Sequence, residues 1–96
     1  MARHSRTSQF DRDWRALTET ERKRFLAVHA RFDADLVRDG RFRPGLLVKV
    51  VQGAPGIFEM TWAPDGRATF EYGESRGKGS HVIWRRVGTH DVFSEP

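Results

Sequence analysis

Arg43-Pro44-Gly45 divides this chain into two halves with different hydrophobic periods, and no other feature restricts its fold as much. Before it, apolar residues recur every three or four positions. After it, they alternate. A chain that changes period once places its helices together and its strands together. That order predicts an α+β domain rather than an alternating βαβ one.

In the first half, Phe10, Trp14 and Leu17 fall on one helical stripe, which predicts a short helix from Phe10 to Leu17. Thr18-Glu19-Thr20-Glu21 reads as a capping box that starts a second helix. It runs to about Asp39 and stops at Gly40, a normal C′ glycine. Phe25, Val28, Phe32 and Leu36 form its buried stripe. His29 lies on that stripe and reads as a packed, hydrogen-bonded histidine. Residues 1–9 are polar, and fraying is expected there, at His4 as well.

In the second half, strands are predicted over Leu46 to Gln52, Ile57 to Trp62, Arg67 to Tyr72 and His81 to Val87. Gly53-Ala54-Pro55-Gly56 and Ala63-Pro64-Asp65-Gly66 turn the chain, and Gly73 to Ser80 is a glycine-rich loop. Short connections make neighbouring strands antiparallel. The expected architecture is two N-terminal helices on one face of a four-stranded antiparallel sheet, with the other face open. Alternation assigns Val48, Val50, Phe58, Met60, Trp62, Phe70, Tyr72, Val82 and Trp84 to the covered face. Trp14, Trp62 and Trp84 read as core anchors. Lys49, Glu59, Thr61, Arg67, Thr69, Glu71, His81 and Arg85 fall on the open one. In the last strand, Ile83 and Val87 compete with Val82 and Trp84 for the core.

Ninety-six residues make one domain, 1–96. There is no cysteine, which excludes disulfides and thiolate metal sites. The four histidines lack ligand spacing, so no metal or cofactor is expected. No apolar run follows the N-terminus or appears later, so neither a signal peptide nor a membrane span is read, and the cytoplasm is the default location. The 17 basic residues outnumber the 13 acidic ones, giving a net charge of +4. Three of the basic residues are lysines and the rest arginines, a preference that suits phosphate recognition and that a GC-rich genome would produce as well. The balance favours a polyanionic partner.

Chemistry concentrates near the C-terminus, at Trp84-Arg85-Arg86-Val87-Gly88-Thr89-His90-Asp91-Val92-Phe93. Gly88 is expected to turn the backbone and set His90 at the sheet rim. Asp91 reads as a turn cap. A group that titrates near neutrality beside arginines can act as a general acid on a phosphodiester. RNA cleavage needs an acid for the 5′ oxygen, a base for the 2′-hydroxyl and cations for the charge on phosphorus. The candidate catalytic residues are His90, Arg67, Glu59 (the base) and Arg85. The candidate substrate contacts are Lys49, His81, Arg86 and Phe93, the last by stacking on a base. On composition alone, Lys49, Glu59, Arg67 and Glu71 read first as cross-strand ion pairs on a solvated face.

Over residues 15–93 the chain resembles the RelE superfamily of bacterial toxins from type II toxin–antitoxin systems. Two motifs carry the likeness. Gly56-Ile57-Phe58-Glu59-Met60-Thr61-Trp62, a turn and Arg67-Ala68-Thr69-Phe70-Glu71-Tyr72 are similar to the family's paired strands. Val87-Gly88-Thr89-His90-Asp91-Val92-Phe93 is similar to the closing segment of its YafQ-like branch. The resemblance implies an mRNA endonuclease, usually acting on the ribosome and neutralised by an antitoxin protein. It makes Arg67 the phosphate-stabilising arginine, His90 the general acid and Phe93 an aromatic near the substrate. Three departures stand out. The imidazoles that the YafQ-like branch uses earlier in the chain have no evident match here apart from His81. Glu59 and Thr61 replace lysines of some relatives, and the family's N-terminal strand has no evident match in residues 1–9. The alternatives are a ParE-like topoisomerase-binding toxin and a non-catalytic binding domain on the same fold.

Overall fold

The structure, a computed structural model, describes residues 3–73 and 81–96. Its elements are β1 (Arg3–Arg6), α1 (Ser8–Ala16), α2 (Glu19–Arg38), β2 (Lys49–Val50), β3 (Phe58–Thr61), β4 (Gly66–Tyr72) and β5 (His81–Thr89). Two 3₁₀ turns, Pro44–Leu46 and His90–Ser94, complete it. The fold is α+β, with the sheet order β1-β5-β4-β3-β2. Neighbours from β5 to β2 are antiparallel, whereas β1 runs parallel to β5.

The sheet therefore has a fifth strand, in the segment expected to fray. Its one inward residue is His4, not a hydrophobe, which hides the alternation. His4 Nε2 meets Asp33 Oδ1 at 2.7 Å, and the Trp84 indole N–H donates to His4 Nδ1 at 3.1 Å. Thr7 then changes strand into helix. Its N–H donates to Trp84 O, while its hydroxyl donates to Arg85 O and accepts from the Phe10 N–H as the α1 cap. This cap starts α1 at Ser8 instead of Phe10. The capping box at Thr18 and Glu21 is formed as expected, and Gly40 takes φ +74° after the end of α2.

Both helices lie on one sheet face. Phe10 from α1 joins Phe25, Val28, Phe32 and Leu36 from α2 against Met60, Trp62, Ala68, Phe70, Val82, Trp84 and Val87. The loop after α2 is held by Asp35, only 1% exposed, whose carboxylate accepts from the Arg43 guanidinium and backbone N–H at 2.8–2.9 Å. Those bonds hold the carboxyl at a pKa of about 2.

Two strands differ in extent from the expectation. Pro44–Leu46 winds into a 3₁₀ turn and Leu47 is left-handed (φ 50°), so β2 shrinks to Lys49–Val50, with Val50 exposed at the sheet edge. β5 instead continues through Gly88 to Thr89, so the chain does not turn at Gly88. A bulge explains the competition for the core in β5. Thr69 pairs with Arg86 and Phe70 with Trp84, which leaves Arg85 without an opposite residue. The extra residue shifts the alternation, so Val82, Trp84 and Val87 all reach the core.

The second face is open only in part. The C-terminal residues fold back across β4 and β5. Val92 is buried, and a Cβ on Gly88 would lie 3.3 Å from its Cγ1. Thr69 Oγ1 and Arg85 Nε donate to Pro96 O, and Arg86 Nη1 donates to Glu95 O. Of the loop expected over Gly73 to Ser80, residues 74–80 lie outside the described residues.

Candidate active site

The β3–β4 turn is fixed by one tryptophan. The Trp62 ring packs on Gly66, where a Cβ would come within 2.7 Å, and its indole N–H donates to Arg67 O at 3.0 Å. With the turn held in this way, Arg67 folds back along it. Its Nη1 donates to Gly66 O (3.0 Å), Pro64 O (3.3 Å) and Ala63 O (3.4 Å). Nε and Nη2 make no hydrogen bond among the described residues.

Across the sheet, Arg67 pairs with Thr61 on β3 and Gly88 on β5. Gly88 carries no side chain, and Val92 closes the space a Cβ would take, at 3.3 Å. Gly66 pairs with Thr89, and one further step sets Asp65 opposite His90. There His90 Nδ1 lies 2.7 Å from Asp65 Oδ1, with both side chains about two-thirds exposed. A carboxylate only accepts, so Nδ1 carries the hydrogen and Nε2 faces away from the pair. The hydrogen bond and charge of Asp65 raise the His90 pKa above its usual value, with a smaller push from Asp91, and Arg67 is near enough to oppose it. Thr89 caps the turn at residues 90–94, accepting from the Asp91 N–H, in place of the cap expected from Asp91 itself.

Lys49, Glu59, Thr61 and Arg67 line one groove on the same sheet face, walled by Phe42 and Leu47. Glu59 is buried, with the Lys49 Nζ 4.0 Å from its carboxylate. The row of Glu59 lies about 13 Å along the strands from that of His90, at about 3.3 Å per residue, with Arg67 midway between them.

The other candidates lie elsewhere. His81 begins β5, about 30 Å by strand rise from His90 at its far end, and its Nε2 contacts Ser5 Oγ at 2.7 Å. Arg85 is bound to Glu71 at 2.9 Å and to Pro96 O. Arg86 is bound to Asp13 on α1 at 2.6 Å, and Asp13 also takes the Val87 N–H left free beyond the end of β1. Phe93 is half-buried within the 90–94 turn. Asp65 is the residue that sequence reasoning read only as part of a turn. Extending the strand register past Gly66 and Thr89 would have found it.

Among the described residues, no three His, Asp or Glu side chains are grouped to hold a metal ion, and no helix is long and apolar enough to cross a membrane.

No protein-family model matches the sequence, and no curated protein matches it. Solved structures do match the fold. YafQ from Escherichia coli BL21(DE3) superposes with a TM-score of 0.72 over 96% of this chain and 97% of its own, at 10% identity. RelE in the RelB–RelE antitoxin–toxin complex of Methanococcus jannaschii gives 0.66, over 95% of each chain, at 14% identity. The E. coli DinJ–YafQ complex gives 0.61, over 96% of this chain and 97% of the matched one, at 14% identity. The chain therefore shares the fold of these YafQ and RelE structures.

Proposed function

We propose that this RelE-type fold carries an endoribonuclease, with the rim between Asp65, Arg67 and His90 as its reacting centre. The observation that carries the reading is the His90–Asp65 contact beside a guanidinium whose Nε and Nη2 have no hydrogen-bond partner among the described residues. Asp65 orients the imidazole through Nδ1 and favours its protonated form, so Nε2–H is the proton available to a leaving 5′ oxygen. Arg67 is presented by backbone carbonyls and would hold the non-bridging phosphate oxygens as charge develops on them. Glu59, on the other side of Arg67, is the candidate base for the 2′-hydroxyl, and Lys49 supplies a second cation. Phe93, in the turn that starts with His90, remains a candidate base-stacking contact. The set requires no metal. In-line transfer places acid and base on opposite sides of phosphorus, and the His90–Arg67–Glu59 order supports that arrangement.

On the same reading, the substrate is mRNA on the ribosome and an antitoxin protein holds the toxin inactive. The test is inducible expression followed by mapping of RNA 5′ ends, with cleavage assayed on translated mRNA. The wild-type chain should cut, and His90→Ala should lose roughly 10²- to 10⁴-fold in rate. Undiminished cleavage by His90→Ala would remove the acid. Intact RNA accompanied by DNA damage would favour a topoisomerase-directed toxin.

A further inference from the structure

The groove between α2 and the β3–β4 turn has a charge pattern that the rim chemistry does not use. Arg24 and Arg31, two helical turns apart on α2, stand on one of its walls, and Thr61, Trp62 and Pro64 form the other. Three arginines line it, and no carboxylate does. The third, Arg43, is already neutralised by Asp35. Arg24 and Arg31 form no ion pair and no side-chain hydrogen bond among the described residues, unlike Arg6, Arg38, Arg85 and Arg86, which each have an acidic partner. Between them Ala27 presents only a methyl group, so the helix surface is low there. Seven residues separate the two arginines, about 10.5 Å along the axis.

This groove is continuous with the rim in two directions. Arg24, Trp62 and Ala63 also line the concavity that holds Asp65, Gly88 and Thr89, where Glu21 stands as well. Thr61 and Arg43 also line the groove of Arg67, Lys49 and Glu59. An RNA strand whose scissile phosphate lay on Arg67 would thus have one flank running directly toward Arg24 and Arg31.

We infer that the Arg24–Arg31 groove is a binding track for the ribose-phosphate backbone of nucleotides flanking the cleavage point. The inference rests on the endonuclease reading and extends it to a site some distance from the chemistry. Two unpaired guanidiniums beside a low helix surface suit phosphates, since each can offer a two-pronged contact. The track reads charge and not sequence, so it adds affinity without base preference.

The test measures binding apart from cleavage. Fluorescently labelled single-stranded 2′-O-methyl RNA, which lacks the attacking hydroxyl, is titrated with the full chain over a range of salt concentrations. Two lengths are compared, one that covers only the rim and one extended at both ends. Arg24→Gln with Arg31→Gln should weaken the longer RNA on the order of tenfold and leave the shorter one unchanged. The slope of log affinity against log salt should become shallower by about 0.7 for each arginine removed. Arg24→Lys with Arg31→Lys should restore most of the slope. An unchanged slope in the glutamine variant overturns the track, even where wild-type protein cleaves RNA. Arginine-dependent binding of polyglutamate with no change in RNA binding overturns it as well, in favour of an acidic protein partner. A shallower slope in a chain that cuts no RNA leaves the track standing and removes the endonuclease reading instead.

Discussion

The imidazole of His90 reaches back over the end of the sheet to Asp65, 2.7 Å away, although neither residue belongs to a strand. The register of β4 against β5 brings them together, one step past the last pair. Because Asp65 raises the His90 pKa, Asp65→Asn should lower its NMR titration midpoint toward 6.5. A general acid works only while protonated, so the alkaline limb of the cleavage profile should move to lower pH by the same amount. Loss of rate with an unmoved limb would mean that Asp65 acts on something other than the proton.

How much of this was legible in the sequence can be traced to particular residues. The period change at Pro44, the Thr18–Glu21 box and the stripe of Phe25, Val28, Phe32 and Leu36 specify the helices and the helix-on-sheet layering. β1 was hidden because its inward residue is His4, which is made tolerable inside only by Asp33 and the Trp84 indole. A bulge has no local sequence mark, so the choice between Trp84 and Val87 could not be settled before the pairing was known. Arg85 and Arg86 looked like rim cations because charge alone cannot show a partner 14 or 73 residues away.

Gly88 lets the C-terminal segment close over the sheet. A side chain there would press on Val92, which is buried, 3.3 Å from the position of a Cβ and within the turn that starts with His90. Gly88→Val should destabilise the fold by about 1–3 kcal/mol in urea unfolding. It should also slow cleavage beyond the unfolded fraction. Full activity in a stable Gly88→Val protein would show that the placement of His90 does not depend on the Val92 contact.

Asp35 ties α2 to the loop that leads to the sheet. Its carboxyl has a pKa of about 2 when folded against 3.8 in the open chain. A depressed carboxylate stabilises the fold above the unfolded value, and that stability is lost as pH falls from about 4 toward 2. Arg43 is partly exposed, so solvent screens some of the effect. Asp35→Asn should cost about 1–3 kcal/mol at neutral pH and flatten the acid limb of a stability–pH curve. An acid limb as steep as wild type would assign that limb to other carboxylates.

His29 gives the fold a second pH dependence, nearer neutrality. Burial first and the neighbouring His4 second lower its pKa, and Asp33 works the other way. The rings of His29 and His4 stand 4.6 Å apart, between α2 and the strand that carries His4. His4 is itself held by the Trp84 indole N–H, which donates to its Nδ1. For an imidazole with a lowered folded pKa, the unfolded chain takes up protons first. Stability is therefore complete above 6.5 and falls as pH drops below it, until His29 protonates in the folded protein. Urea unfolding at pH 7.5 and 5.5 should show this loss in wild type, and His29→Leu should reduce it. If His29→Leu keeps the whole difference, burial of His29 is not the source of the loss.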